Sequence, residues 1–447
     1  MLEDLETFGG AMQCSSSRES LMYQTAVFNK DVSGMMGIMA DTIRDPLITE
    51  EEVSQQLDTA AYEIMEIWAK PELILPEIVH MTAYKNNTLG NPLLCPEEQL
   101  EHISSSTVSE YRDAFYRPER IVVAFVGVDH ATAVGLVERY FGDMKSAGPA
   151  HLPVSSQPSS RPLGSYSPPP STGGILSKIP LIKNISTSAP KSAEVHASPF
   201  TNSIPLTTRA HYTGGVTILP PSDIPSHLPT YTHLHIAFEG LPISDPDIYA
   251  SATLQSLLGG GGSFSAGGPG KGMFTRLFTN VLNQHGWIES CIAYNHAFLD
   301  SGLFGIAASC HLGKSSLLAD IVMKELAATF TTSRYWGLQK AEVERAKKQL
   351  QSSVLMNLES RMVGLEDLGR QVQVHGKRIS AFEMCAEIEK LTVDDIRRVA
   401  EKIFVGGVQN PGMGTGKPTI VVQGPQEEIE RMGDLEDVVR RYKLGRQ

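Results

Sequence analysis

Whole classes of chemistry are missing from this 447-residue sequence. None of its 13 histidines lies in an HExxH or HxxEH motif, the spacings that put two histidines and a glutamate around zinc. His233-x-His235 is spaced to clamp a metal, but no third ligand lies nearby in sequence. It reads as two polar residues on a solvated strand face. No Gly-x-Ser-x-Gly is present, so no hydrolase elbow is visible. The five cysteines (Cys14, Cys95, Cys291, Cys310, Cys385) form no CxxC and are odd in number. That excludes a disulfide scaffold or zinc ribbon and points to a reducing compartment. No apolar run approaches the ~20 residues that span a bilayer. The opening Met1-Leu2-Glu3-Asp4-Leu5-Glu6 is neither a signal peptide nor an Arg-rich transit peptide. By its motifs the chain does not read as an enzyme.

What is present is acid. The net charge is -12, with ordinary globular proportions of 41% hydrophobic and 7% aromatic residues. Such a balance argues against a nucleic-acid binder and fits a basic ligand or partner. One segment runs against it. Residues 146–210 hold 11 Pro, 14 Ser, five Lys/Arg and one acid, a local charge of +4. A stretch of that composition buries too little apolar surface to offset its ordering entropy. It reads as a disordered connector between blocks 1–145 and 211–447, whose charges then sum with the connector excluded to -16.

The two blocks repeat one another. Leu5 to Cys14 lines up with Leu282 to Cys291 at an offset of 277. Glu52-Val53 lines up with Glu342-Val343 at 290, and Thr107-Val108 with Thr392-Val393 at 285. Their common order and near-constant offset indicate a tandem duplication. The second block has about 75 residues, from His211 to the Leu282 region, with no counterpart in the first. The first domain is therefore expected to be incomplete, without its opening strands and helix.

Local signals give α+β units. Thr49-x-x-Glu52 is a capping box that opens a helix through Val53, Leu57, Ala60 and Ile64, closed by Pro71. Thr107-x-x-Glu110 is expected to cap another helix, ahead of a buried strand Ile121–Val128. Tyr231–Phe238 alternates as a strand, with Leu234, Ile236 and Phe238 on one face and the two histidines on the other.

Two constellations carry candidate function. The first is glycine-rich: Gly259, Gly260, Gly261, Gly262, Ser263, Phe264, Ser265, Ala266, Gly267, Gly268, Pro269, Gly270, Lys271 and Gly272. It lies between expected helices Ile248–Leu258 and Met273–Asn283. Lys271 is followed by Gly272 rather than Ser or Thr, so it is no phosphate loop. A patterned loop of this length between two helices points to function. The second is acidic. On one continuous helix Glu359 and Glu366 share a face, with Asp367 beside them, which suits a cationic peptide or a solvated surface.

The glycine-rich loop and the following Met273-Phe274-Thr275-Arg276-Leu277-Phe278 resemble those of mitochondrial processing peptidase alpha subunits, in the pitrilysin-like metallopeptidase family. The resemblance extends through Cys14 to Glu19, Tyr62-Glu63-Ile64, Thr88 to Leu93, Tyr116 to Arg120, Tyr212 to Gly215, and Leu355 through Val372. It covers both blocks but not the Ser/Pro connector. It implies two homologous α/β sandwich domains, sheets covered by helices, facing each other as a clam shell. It implies a heterodimer with a beta subunit that carries zinc in an inverted HxxEH, in the mitochondrial matrix. The alpha-type chain binds no cofactor and helps to hold basic presequences. Glu63 falls where the zinc subunit keeps a distal ligand, and without two histidines it is expected to be an ordinary helix residue. The chain departs from the family at its start, where the opening strands and an import presequence are absent. It is read as a truncated or mis-started product, or a degraded copy. Two alternatives share the resemblance: a structural core subunit of the respiratory bc1 complex, and an active zinc peptidase whose ligands precede Met1.

Overall fold

A computed structural model describes residues 2–85, 87–146, 208–221, 230–263 and 272–446. The connector reading falls almost wholly outside them. The first block runs α1 (Leu2–Thr7), β1 (Ala11–Ser16), β2 (Leu21–Ala26), α2 (Val32–Arg44), α3 (Glu50–Trp68), α4 (Pro71–Ala83), α5 (Glu97–Leu100), α6 (Ser105–Phe115) and α7 (His130–Phe141). The second opens with β3 (Gly215–Leu219), β4 (Tyr231–Gly240), α8 (Ile248–Leu258), β5 (Gly260–Gly262), β6 (Ile288–Ala297), β7 (Gly302–His311) and α9 (Ser315–Phe330). It closes with α10 (Lys340–Glu359), α11 (Arg361–His375), α12 (Ala381–Lys390), α13 (Val393–Phe404), β8 (Thr419–Gln423), α14 (Gln426–Met432) and α15 (Leu435–Arg441).

The duplication is visible in the order of elements. Hairpin β1–β2 answers β6–β7, and α2, α3 and α4 answer α9, α10 and α11. The caps answer one another too. Thr49 and Glu52 form the capping box of α3, and Gln339 and Glu342 form that of α10. The helix after Thr107 starts a turn earlier than expected. Its cap is Ser104, whose hydroxyl accepts from the Thr107 N–H, so Thr107 sits inside the first turn.

The second block is built on a six-stranded sheet of order β3-β8-β4-β7-β6-β5, antiparallel except for β3–β8. Leu234, Ile236 and Phe238 of β4 point into a core with Leu254, Val322, Val399 and Phe404. Phe404 meets Phe238 and Phe304 edge-on, at 5.6 and 5.3 Å between ring centres.

The opposite face is not solvated, which corrects the reading of His233 and His235. Helix α4 of the first block lies across it. Ile74, Leu75, Ile78 and Val79 pack on Leu219, Ala237, Leu303 and Val421. His235 is 8% exposed, and burial pushes its imidazole down to about 3. Each apolar side chain buried here stabilises the joint by about 1.5–3 kcal/mol. Helix α11 makes the reciprocal move, reaching the first hairpin. The Gln24 side chain donates to Met362 O at 2.7 Å.

The exchange is unequal. Among its described residues α4 buries seven side chains, whereas α11 buries only Gln371. The cause is the size of the sheet each helix meets. The first block's sheet has two strands among the described residues. The expected strand Ile121–Val128 is not formed there: residues 121–125 are irregular and 126–128 bend, with Val122, Val123 and Val126 exposed. Its β-branched residues set the backbone, but a strand needs neighbouring backbone to bond to.

A polar network seals the joint between the blocks. Tyr84, at the end of α4, donates to Gly302 O at 2.6 Å and touches Ser301 Oγ at 3.0 Å. Asn410 donates to Glu239 Oε1 at 2.8 Å and to Gly240 O at 2.9 Å. Glu239 is 1% exposed, and burial pushes its carboxyl up to about 7. The folded state therefore holds this proton more tightly than the unfolded chain. Its stabilising contribution is full below the ordinary glutamate pKa and is lost as pH rises to about 7. Glu239→Gln keeps the Oε1 acceptor without the titration. Its urea midpoint should gain on the parent between pH 5 and pH 7 and hold a constant lead above that. A midpoint difference independent of pH would rule out the buried carboxyl as the source.

Candidate functional site

The glycine-rich segment leaves the C-terminal end of α8, as its helical flank anticipates. Two of its glycines are required by the backbone. Gly259 has φ +57°, and a Cβ there would lie 2.4 Å from Thr275 Cγ2. Gly260 has φ +95°, and its Cβ would meet Cys291 O at 2.0 Å. Gly260, Gly261 and Gly262 then form the outermost strand of the sheet, opposite Ile292, Cys291 and Ser290 of β6. Around Gly261 and Gly262 the space is open. A Cβ on Gly261 would meet nothing within 4 Å, and one on Gly262 only Glu289 O at 3.9 Å. Ser263 follows, its N–H on Glu289 O at 2.6 Å and its hydroxyl on Glu289 Oε2 at 3.1 Å. Phe264, Gly267, Gly268, Gly270 and Lys271 lie outside the described residues.

The segment returns at Gly272, with φ +78°. Thr275 ties its two ends together. Its hydroxyl donates to Gly272 O at 2.8 Å and accepts from Gly260 N–H at 3.1 Å. The ends of the loop are thus fixed within one side chain's reach. The following helix is shorter than expected from Met273–Asn283. Residues 272–275 form a turn, helix begins at Arg276, and Phe278–Leu282 is a π-helical stretch. Thr279 contributes, because its hydroxyl bonds the carbonyls of Thr275 and Arg276 inside the ladder.

Arg276 anchors the foot of the loop, and the sequence reasoning gave it no role. Its guanidinium is 5% exposed and donates to Glu325, Glu342 and Trp336 O at 3.4, 3.2 and 3.0 Å. Asn280 adds a bond to Glu325 at 3.0 Å. The available signal was one arginine inside an otherwise apolar run, which a buried site tolerates only with partners.

The acidic constellation is arranged differently from expectation. Glu359 is the last residue of α10, and Ser360, at ψ +122°, breaks the helix before α11 begins at Arg361. Glu359 and Glu366 are therefore on two helices and share no continuous face. Both are exposed, while Asp367 is partly buried and accepts from Gln371 Nε2 at 2.6 Å. Glu359 precedes α11, Glu366 and Asp367 lie on it, and the glycine segment edges the sheet beyond β6. Glu63 is exposed on α3. Among the described residues no three His, Cys, Asp or Glu side chains converge to hold a metal, so the groups present do not fit zinc. No helix of the described residues is long and apolar enough to cross a membrane.

Arg276→Met should cost about 3–5 kcal/mol, since it leaves Glu325 as a buried, uncompensated carboxylate. Urea denaturation measures this, and a loss below about 1 kcal/mol, the scale of an exposed pair, would show that Arg276 does not hold the loop foot.

Comparison with known proteins agrees with this architecture. Residues 1–97 match the family model described as Insulinase (Peptidase family M16). Residues 102–178 and 180–350 match Peptidase M16 inactive domain. The mitochondrial-processing peptidase subunit alpha of Neurospora crassa is 53% identical, over 100% of this chain and 80% of its own. The probable counterpart of Schizosaccharomyces pombe is 41% identical, over 100% and 77%, and the human subunit alpha 32%, over 96% and 71%. A chain of the solved Complex III2 from Candida albicans, Inz-5 bound, shares the fold with TM-score 0.67 at 15% identity, over 97% of this chain and 86% of that one. By its matched domains and by its identity to these full-length relatives, the chain belongs to the M16 peptidase family.

Proposed function

We propose that this chain is the non-catalytic, substrate-recognising alpha subunit of a mitochondrial processing peptidase. It holds basic presequences in the mitochondrial matrix for cleavage by a zinc-bearing beta subunit. The observation that carries the reading is the 53% identity, along the whole chain, to a protein named as such a subunit. The match to an inactive M16 domain supports the absence of catalysis by this chain. The bc1 alternative has only a 15% identical structural neighbour, a likeness of fold. Blocks 1–145 and 211–447 are proposed as the two domains, with 146–210 as connector.

The physical basis is charge and backbone access. A chain of net charge -12 attracts a cationic, flexible peptide over a distance. Gly259 to Gly262, Ser263, Phe264, Gly267, Gly268, Gly270, Lys271 and Gly272 are proposed to lie along the bound peptide. Glycine lets another backbone come close, and Thr275 fixes the two ends of the segment. Glu359, Glu366 and Asp367 are proposed to meet presequence arginines. Nothing here routes a bond-breaking step through this chain. Its work is to bind and orient.

Two outcomes are expected from fluorescence binding of a presequence peptide. Gly261→Val with Gly262→Val fills open space without a clash. It should weaken binding by about tenfold, the worth of one lost close contact, with an unchanged melting temperature. Unaltered affinity would remove the glycine strand from the binding site. Neutralising the acids (Glu359→Gln, Glu366→Gln, Asp367→Asn) should cost more affinity at low salt than at high salt, because exposed charges are screened. An equal loss at both would mean that they act through structure rather than charge.

A further inference from the structure

Two histidines meet across the joint between the blocks. His80 Nε2 on α4 lies 3.2 Å from His296 Nδ1 on β6. The ring planes are within 3° of each other, with centres 5.5 Å apart. Rings so placed meet nitrogen to nitrogen in one plane, the geometry of an N–H···N bond rather than of a stack. One facing nitrogen must then carry a hydrogen and the other a lone pair. A metal in the gap needs about 2 Å to each nitrogen, and 3.2 Å in line does not hold one. The blocks are joined here through a single proton position.

The surroundings oppose any further proton. His80 is 4% exposed and His296 is half-buried. The Arg18 guanidinium bears on both rings. Arg18 donates to Glu77 at 2.9 Å and to Asn91 O at 3.3 Å. Glu77 also accepts from Leu93 N–H at 3.2 Å, so it is already committed. Glu19 and Asp300, at the β6–β7 turn, bear on each other. Phe298 meets His80 edge-on at 5.5 Å between ring centres. Tyr84 lies 6.2 Å from His80 and Tyr294 5.4 Å from His296, and burial raises both phenols. One added proton therefore puts a cation in a closed joint beside Arg18. Two leave N–H facing N–H across the pair.

The direction of the pH effect follows. Burial first, and then the Arg18 charge, push the His80 imidazole down to about 2, and the same causes lower His296. With α4 released, both rings return to the ordinary imidazole range near about 6.5. The stability that the pair gives the joint is full above about 6.5 and is lost as pH falls below it. His235, under the same helix, acts in the same sense, and the buried Glu239 acts in the opposite one.

We propose that the His80–His296 pair is an acid-released latch between the two blocks, closed while both imidazoles are neutral and opened by proton uptake, with α4 lifting from the sheet. The two-state element is α4, whose other face contacts are apolar and indifferent to pH. The latch holds the first block on the second sheet in neutral or alkaline surroundings and frees it in acid. It concerns the joint alone and stands whatever the chain binds.

The test is native-state hydrogen exchange of the full chain at about pH 7.5 and about pH 5.5, corrected for the intrinsic exchange rate. His80→Gln and His296→Asn keep a polar group near each ring nitrogen and do not titrate. Comparing each variant with the parent cancels Glu239 and His235. On acidification the opening constant of the α4 amides should grow about tenfold more in the parent than in His80→Gln, and about 100-fold more than in the double variant, a factor of ten for each imidazole. In acid the parent's α4 should be at least about tenfold less protected than α13 on the far face of the sheet, which marks opening ahead of unfolding. Deuterium uptake at the imidazole C2 positions of the parent needs no variant, and should show both rings uncharged in the folded chain at about pH 5.5. An equal pH response in parent and double variant overturns the latch, as does either ring charging in the ordinary imidazole range. Equal protection of α4 and α13 in acid overturns it too, because proton uptake would then belong to unfolding of the whole body.

Discussion

The second sheet buries its central strands on both faces only because a helix from the first block covers one of them. Helix α4 brings Ile74, Leu75, Ile78 and Val79 onto that face, and Tyr84 at its end bonds Ser301 and Gly302 across the joint. Without it β4 would expose Ala237, His235 and Glu239 together, and the sheet would be covered on one side alone. The joint therefore acts as a shared core rather than a contact between finished domains. A shared core transmits displacement, since packed interiors do not deform smoothly. Any rigid element that rests on this sheet, including its glycine edge, is referred to the first block through α4.

The same constraint explains the unequal halves. Two equivalent helices are exchanged, but one lies on a six-stranded sheet and the other, among the described residues, on a hairpin. Burial follows the size of the surface offered, so α4 is sunk and α11 stays amphipathic and wet. Wet is what the proposed role of its acids needs. Glu366 on α11 keeps its hydration, and an exposed carboxylate attracts a cation without the desolvation cost of a buried one.

Much of this was legible in the chain. The capping box at Thr49, helix Ile248–Leu258 and strand Tyr231–Phe238 were set by local chemistry and occur where the residues place them. The repeat was legible as order and offset. Three things were not. Ile121–Val128 reads as a strand, but pairing belongs to its neighbours and not to its own residues. The break at Ser360 has no proline or glycine to announce it, so Glu359 and Glu366 were read onto one helix. The burial of His235 depends on α4, over 150 residues away. A clue did exist in Pro71 to Val79, which is apolar on nearly every side, as a helix covered all round should be.

Arg276 was missed for a related reason. An isolated arginine is informative only with its partners, and Glu325, the Trp336 carbonyl and Glu342 come from α9, the turn after it and α10. Once they are assembled, the arginine sets where the glycine segment re-enters the fold. Thr275, its neighbour, bonds both Gly260 and Gly272, so the two ends of the proposed peptide-binding segment are held by one hydroxyl and one buried ion-pair cluster. A buried cation with three partners leaves unpaired carboxylates behind when it is replaced, which is the physical reason for an arginine inside this run.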